Sequence, residues 1–527
     1  MRCRSARPRM LIIAAWVVSL APIGLLHAQN RKFDLLTAGV ADIQAAVASG
    51  ALTYERVVRL YLNRIEAYDK QGPRLNAVIE INRRAIEIAR GLDEERRVKG
   101  LRSPLHGIPI AIKDNIDVSD IPSAGGSVVF AGTYPARDAT VIQRLRQAGA
   151  IIFLKTNMDE LALGSRGLSS LGGQILNPYD LKRNPGGSSG GTAVAVNVGF
   201  ATLGVATETG FSIRGPASNN ALVGIAPTRG LVSCAGVIPI SFTQDRVGVH
   251  AKSVADAALL LTYLRGFDPE DLATAQSLGK LDPKAYTEYL DDRLSGARIG
   301  VLRDLFRKGE EFDAGNKLIE KQLRLLSDHR AVVIDGLSTG LDLVSLMPSL
   351  RVNSYELRTA FDAYLRRRGP SSPVKTLADL IATGKYLKGG TQEIRYQETM
   401  RVGILDVDAE YLSRLEKQRM VRQLLVELMD RYRVEALVYP LKSLSAPMVG
   451  SSDDGPRDNS ISAVTGLPAI VLPAGMNEEG LPLALELLGR PFSEPKLVQL
   501  AYAYEKASRA RVAPKTTPHL PGEVFSY

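Results

Sequence analysis

Residues 184–217 constrain this chain more than any other stretch: NPGGSSGGTAVAVNVGFATLGVATETGFSIRGPA. A glycine–serine loop (186–191) opens it, small apolar residues follow, and a polar loop (207–214) closes it. Glycine admits φ > 0 and close approach of other groups. Side chains this small predict a buried framework that presents serines on two loops, Ser188 and Ser189 on the first and Ser212 on the second. Upstream, residues 105–116 read LHGIPIAIKDNI. The alternation of Ile108, Ile110 and Ile112 predicts a strand with one face packed, which puts Lys113 at its end on the opposite face.

A lysine and loop serines, with no histidine beside them, are a candidate base and nucleophile. A serine hydroxyl needs a base to take its proton. A lysine serves only if burial brings its pKa down from about 10.4 towards neutrality. Taken singly, Lys113 is more often an exposed strand-end lysine than a base, and Ser188 and Ser189 are more often turn formers. A phosphate-binding loop is disfavoured, because Thr192-Ala193 stands where Lys-Ser/Thr is required.

GIPIAIKDNI, GGSSGG and TETGFSIRGPA, in that order, resemble the amidase signature family of serine hydrolases. Further stretches do too: residues 138–164, GVIPISFTQDRVG (236–248), SVADAALLL (253–261) and GLPAIVLPAG (466–475). The resemblance implies a single α/β/α sandwich around a large mixed twisted sheet. It implies a hydrolase cleaving the C–N bond of aryl, alkyl or peptide amides, or carbamates, through an acyl-enzyme. It places Lys113 on the catalytic lysine, Ser188 on the bridging serine with a cis bond after it, and Ser212 on the nucleophile. The backbone N–H groups of Thr209, Gly210, Phe211 and Ser212 fall on the oxyanion hole. No cofactor and no metal are implied. Phe211 departs from the family's usual glycine. Either its φ is negative, or the hole is altered, and the ring either walls the acyl pocket or fills core. An amidase-fold protein that binds an amide with little turnover is therefore the alternative.

Arg2, Arg4, Arg7 and Arg9 precede an apolar run at 11–26, broken by Ser19, and then His27-Ala28-Gln29. This predicts a secretory signal over 1–28, with the amidase domain over 29–527 in the periplasm or outside the cell. The run is shorter than the ~20 residues of a membrane span, so an uncleaved N-terminal anchor is the lesser alternative, and no membrane association is expected after cleavage. Removing those four arginines takes the formal charge from +10 to +6. No dense basic stripe remains, which argues against nucleic acid. The expected partner is a small-molecule amide, and a homodimer stays open. Cys234 is the lone cysteine after 28, so no intrachain disulfide can form. It reads as a small buried residue. His106, His250, His329 and His519 have no metal-ligand spacing, and His106 reads as structural.

Helices are predicted at 83–98 and 139–148, with strands at 108–112, 151–154, 297–302, 434–439 and 469–473. A mostly helical insertion is predicted at about 309–432, shaping the substrate entrance. Asp453, Asp454 and Asp458 read as turn residues in a Gly/Ser/Pro loop.

Overall fold

The computed structural model describes residues 31–370, 372–451 and 459–527. The predicted signal at 1–28 and the turn with Asp453, Asp454 and Asp458 lie outside them. The centre of the fold is an eleven-stranded mixed sheet. Its strands are β1 (Val78–Ile81), β2 (Pro109–Lys113), β3 (Ile151–Thr156), β4 (Leu203–Glu208), β5 (Val223–Ala226), β6 (Arg246–Ala251), β7 (Arg298–Leu302), β8 (Val332–Leu337), β9 (Ala436–Pro440), β10 (Ala469–Met476) and β11 (Pro482–Leu488). The spatial order is β8-β7-β9-β11-β10-β5-β6-β4-β2-β3-β1. β2 pairs in parallel with β3 and β4, and β4 pairs antiparallel with β6.

Alternate residues of β10 serve opposite layers. Ile470 and Leu472 join the large core with Leu261, Ile319, Leu323 and Val498, from helices Val254–Leu264, Glu310–Asp328 and Glu494–Ser508. On the other face, Val471 packs with Ala193, Val196 and Ala217 from helices Gly190–Asn197 and Arg214–Asn219. Ala469, on that same face, meets Val421 and Leu425 of the long helix Ala409–Arg431. The expected sandwich is therefore present. Every residue of helix Gly190–Asn197 is buried. A Cβ at Gly191 would stand 2.2 Å from Asn157 O and 2.6 Å from Ala77 O, so only glycine fits there.

Two expectations change. β2 is buried on both faces, Lys113 included, because it lies between two parallel neighbours under helices. The stretch 309–432 is mostly helical and includes Val332–Leu337, which forms the edge strand β8. Its outer part is helical: Asn353–Arg368, Leu377–Ala382, Thr391–Arg401 and Ala409–Arg431 make an arm over one end of the sheet. The second change is the cis bond, which lies between Gly187 and Ser188, one residue earlier than expected.

Candidate active site

The three parallel strands β2, β3 and β4 end side by side, so Lys113, Thr156 and Glu208 stand at one edge of the sheet. Lys113 is fully buried. Its Nζ lies 2.7 Å from Ser188 Oγ, 2.9 Å from Thr207 Oγ1 and 3.2 Å from Thr207 O. Burial brings its pKa down to about 7, against the pull of Asp159, Asp245 and Glu208. A neutral amine has two N–H groups and one lone pair. Thr207 O is purely an acceptor, and Thr207 Oγ1 also takes a hydrogen bond from Asn115 Nδ2 at 3.0 Å. With both N–H groups on Thr207, the lone pair faces the Ser188 hydroxyl.

Ser188 sits just before the N-terminus of helix Gly190–Asn197. Asp159 braces this loop: its N–H donates to Ser188 O at 3.2 Å. Its carboxylate accepts from the N–H groups of Arg166 and Gly167 at 2.9 and 2.8 Å. A Cβ at Gly187 would lie 1.8 Å from an Asp159 oxygen, so the residue before Ser188 has to be glycine.

Ser212 lies on the turn between β4 and helix Arg214–Asn219. Glu208 closes that turn by accepting from the N–H groups of Ile213 and Arg214 at 3.0 and 3.2 Å. Glu208 also pairs with Arg214 Nε at 3.0 Å and Arg246 Nη2 at 2.6 Å, and Arg214 reaches Glu486 at 2.9 Å; all four side chains are buried. Burial alone would raise the Glu208 carboxyl, but the two guanidinium groups hold it down at about 2. His250 Nε2 lies 2.8 Å from Ile213 O, and burial lowers that imidazole to about 4, so it is neutral and donates. Among the described residues, the N–H groups of Thr209, Gly210, Phe211 and Ser212 donate to no protein acceptor.

Phe211 has no positive φ, which resolves the first choice set by the sequence. Its ring lies over Gly215, where a Cβ would be 2.3 Å from it, and the Arg214 guanidinium stands 5.6 Å from its centre. It both borders the buried cluster around Val471 and lines the cavity.

That cavity is narrow, about 30 Å³, and is lined by Ser212, residues 209–211, Gly187, Gln244 and Ser460, among others. Arg351, Asn353 and Arg395, which line it on one side, also line an outer groove of about 650 Å³ on the helical arm. Gly187, next to Ser188, lines the same cavity as Ser212, and Thr207, which Lys113 touches, lies two residues before the 209–212 turn. Sequence reasoning assigned no role to Asp159, Glu208, Gln244, Asp245 or Arg246; TETG and TQDRVG were the only signal for four of them. Of the other candidates, His106 Nε2 sits 2.9 Å from Leu92 O, a structural bond. Cys234 is partly buried, and burial pushes its thiol well above the ordinary value. No group of three or more His, Cys, Asp or Glu side chains suited to a metal occurs among the described residues.

Known proteins agree with this architecture. The chain is 34% identical over 503 residues to a probable amidase of Arabidopsis thaliana, covering 92% of this chain and 93% of that one. It is 30% identical to a glutamyl-tRNA(Gln) amidotransferase component from Caldanaerobacter subterraneus, covering 92% and 99%. The crystal structure of native peptide amidase from Stenotrophomonas maltophilia superposes with a TM-score of 0.83 at 37% identity, over 91% of this chain and 99% of that one. The sequence profile of the Amidase family matches residues 56–498, and the chain belongs to that family.

Proposed function

We propose that this chain is an exported serine amidase that hydrolyses the C–N bond of linear carboxylic amides through an acyl-enzyme on Ser212. The observation that carries the reading is the buried Lys113 Nζ at 2.7 Å from Ser188 Oγ, behind the cavity that Ser212 lines. Ser212 Oγ attacks the amide carbonyl. Its proton passes to Ser188, whose own proton passes to Lys113. The oxyanion forms against the N–H groups of residues 209–212, an interaction often worth about 3 kcal/mol per donor. The proton returns through Ser188 to the leaving nitrogen, which departs as an amine or ammonia. Water then cleaves the acyl-enzyme with the same lysine as base.

The narrow inner cavity admits little more than the reacting group, while the larger outer groove receives the rest of the substrate. Amides with a compact scissile group and an extended remainder fit that shape, peptide amides among them. A transamidating role inside a larger assembly is disfavoured by the predicted export signal. An anilide substrate and a fluorophosphonate test the proposal. Released aniline, blocked by the inhibitor with label on Ser212, is the expected outcome. Binding of an amide with no release across an anilide and peptide-amide panel would instead favour the non-catalytic reading.

A further inference from the structure

An oxyanion hole works because its donors are aimed before charge develops. A trans peptide carries its C=O and N–H on opposite sides, so fixing one carbonyl aims the next residue's N–H. Three successive carbonyls of the Ser212 turn are held in this way. Gly215 N–H holds Phe211 O at 2.9 Å, and Arg214 Nη2 holds Gly210 O at 2.8 Å. Both holders belong to the turn's own helix.

The third comes from elsewhere. Gln244 Nε2 donates to Thr209 O at 3.0 Å, and so aims the N–H of Gly210. At its other end, Gln244 Oε1 accepts from Val352 N–H at 3.1 Å and from Gln418 Nε2 at 3.5 Å. Val352 N–H only donates and Thr209 O only accepts, so a single orientation of the amide satisfies both. Gln244 is 1% exposed and lines the cavity. Val352 lies between Arg351 and Asn353, which border both the cavity and the outer groove. One turn further on, Glu356 holds the Gln244 loop from the arm: it accepts from Thr243 N at 3.1 Å, from Thr243 Oγ1 at 2.7 Å and from Ser241 Oγ, and Tyr411 Oη joins at 2.8 Å.

We propose that Gln244 is a positioning residue that ties the oxyanion turn to the helical arm, so that the wall touching the outer part of the substrate also sets the aim of Gly210 N–H. This rests on the reading of the 209–212 N–H groups as oxyanion donors. Contacts made in the outer groove are then expressed in kcat as well as in KM.

Two substitutions separate the functions of the amide. Gln244→Met keeps the length and loses both bonds. Gln244→Glu keeps the acceptor for Val352 and loses the donor to Thr209 O. Both should lower kcat roughly 10- to 100-fold, somewhat less than deletion of a donor. KM should stay within about threefold. An alkyl boronic acid, which forms a tetrahedral adduct with the serine, should weaken by the same factor as kcat, while the carboxylate product keeps its affinity. Thermal unfolding checks that each variant is folded; if Gln244→Met is not, Gln244→Glu and the shortened Gln244→Asn carry the same test. A folded variant with kcat within twofold of the parent would overturn the proposal, as would a rise in KM alone. Gln244→Glu at the parental rate would overturn it too. If the parent protein fails to label at Ser212 with a fluorophosphonate, the hydrolytic reading itself falls, and this inference with it.

Discussion

Lys113 and Lys155 lie on adjacent strands, both fully buried, yet only Lys155 has a carboxylate, Asp114 at 3.5 Å. Lys155 also donates to Asp114 O, Ile116 O and Ser123 Oγ. Its charge has an anion and a ring of acceptors. Lys113 has three oxygen neighbours and, among the described residues, no ion pair. Burial works against the charge of both lysines; at Lys155 the Asp114 carboxylate opposes it at close range, whereas Lys113 touches only uncharged oxygens.

Activity should therefore rise with pH through about 7, where Lys113 becomes neutral, and then level off. Lys113→Ala should remove most turnover at pH 7. Stability follows the same group. Its folded pKa lies below the unfolded value of about 10.4, so between about 7 and 10.4 the unfolded chain binds the extra proton, and stability rises with pH across that window. Initial rates and chemical denaturation over pH 6–10 check both; a pH-independent rate would remove Lys113 from the mechanism.

Ser212→Ala should be inactive and take no fluorophosphonate. Ser188→Ala should turn over amides roughly 100-fold or more slowly, the order of a lost acid–base group, yet still carry the label on Ser212. Mass spectrometry of the labelled peptide decides; label on Ser188 or Ser189 would reverse the assignment.

Glu208→Gln should cost about 3–5 kcal/mol, since it leaves Arg246 buried without its carboxylate and loosens the Ser212 turn. In the parent, Glu208 is held at about 2, below its unfolded value of about 4.3. Its contribution is complete above about 4.3 and is lost as pH falls through 2. Urea unfolding at pH 7 measures the difference between the two proteins.

Gly215→Ala should drive the Phe211 ring from its place, because the new Cβ would be 2.3 Å from it. Overpacking of this kind typically costs about 1–3 kcal/mol, and kcat should fall with it. Phe211→Ala combined with Gly215→Ala should unfold at a higher temperature than Gly215→Ala alone, because the clash is gone. Strictly additive losses would show that the ring does not seat the turn.

Expression in a secreting bacterial host should give mature protein beginning at Gln29 or a near neighbour. Edman sequencing of the exported fraction reads this directly; cytoplasmic protein retaining Met1 would refute export.

Much of the site was legible because its chemistry is written in short contiguous runs. Lys113 ends an alternating strand, and Ser188 and Ser212 sit in loops that small residues mark out. The partners that hold those loops were not legible. Gln244 acts on Thr209 from 35 residues away and on Val352 from 108, and nothing local in TQDRVG marks an amide as a bridge. Glu208 and Arg246 meet only because β4 and β6 pair antiparallel in the register Glu208↔Arg246. The edge strand Val332–Leu337 escaped because it is largely exposed, so it lacks the apolar alternation that revealed β2. Full burial of β2 followed from its place in the sheet order, which pairwise spacing does not encode.

The helix behind Ser188 has a consequence for how such a protein can diversify. Its backbone touches neighbours on every side, and Gly187 and Gly191 leave no space for even one added carbon. The floor of the site is thus closed to variation. The roof, where Arg351, Asn353 and Arg395 border the groove, carries its variable side chains outside that close-packed floor. New substrates are to be gained by rebuilding the roof over an unaltered floor: one hydrolytic engine under interchangeable covers.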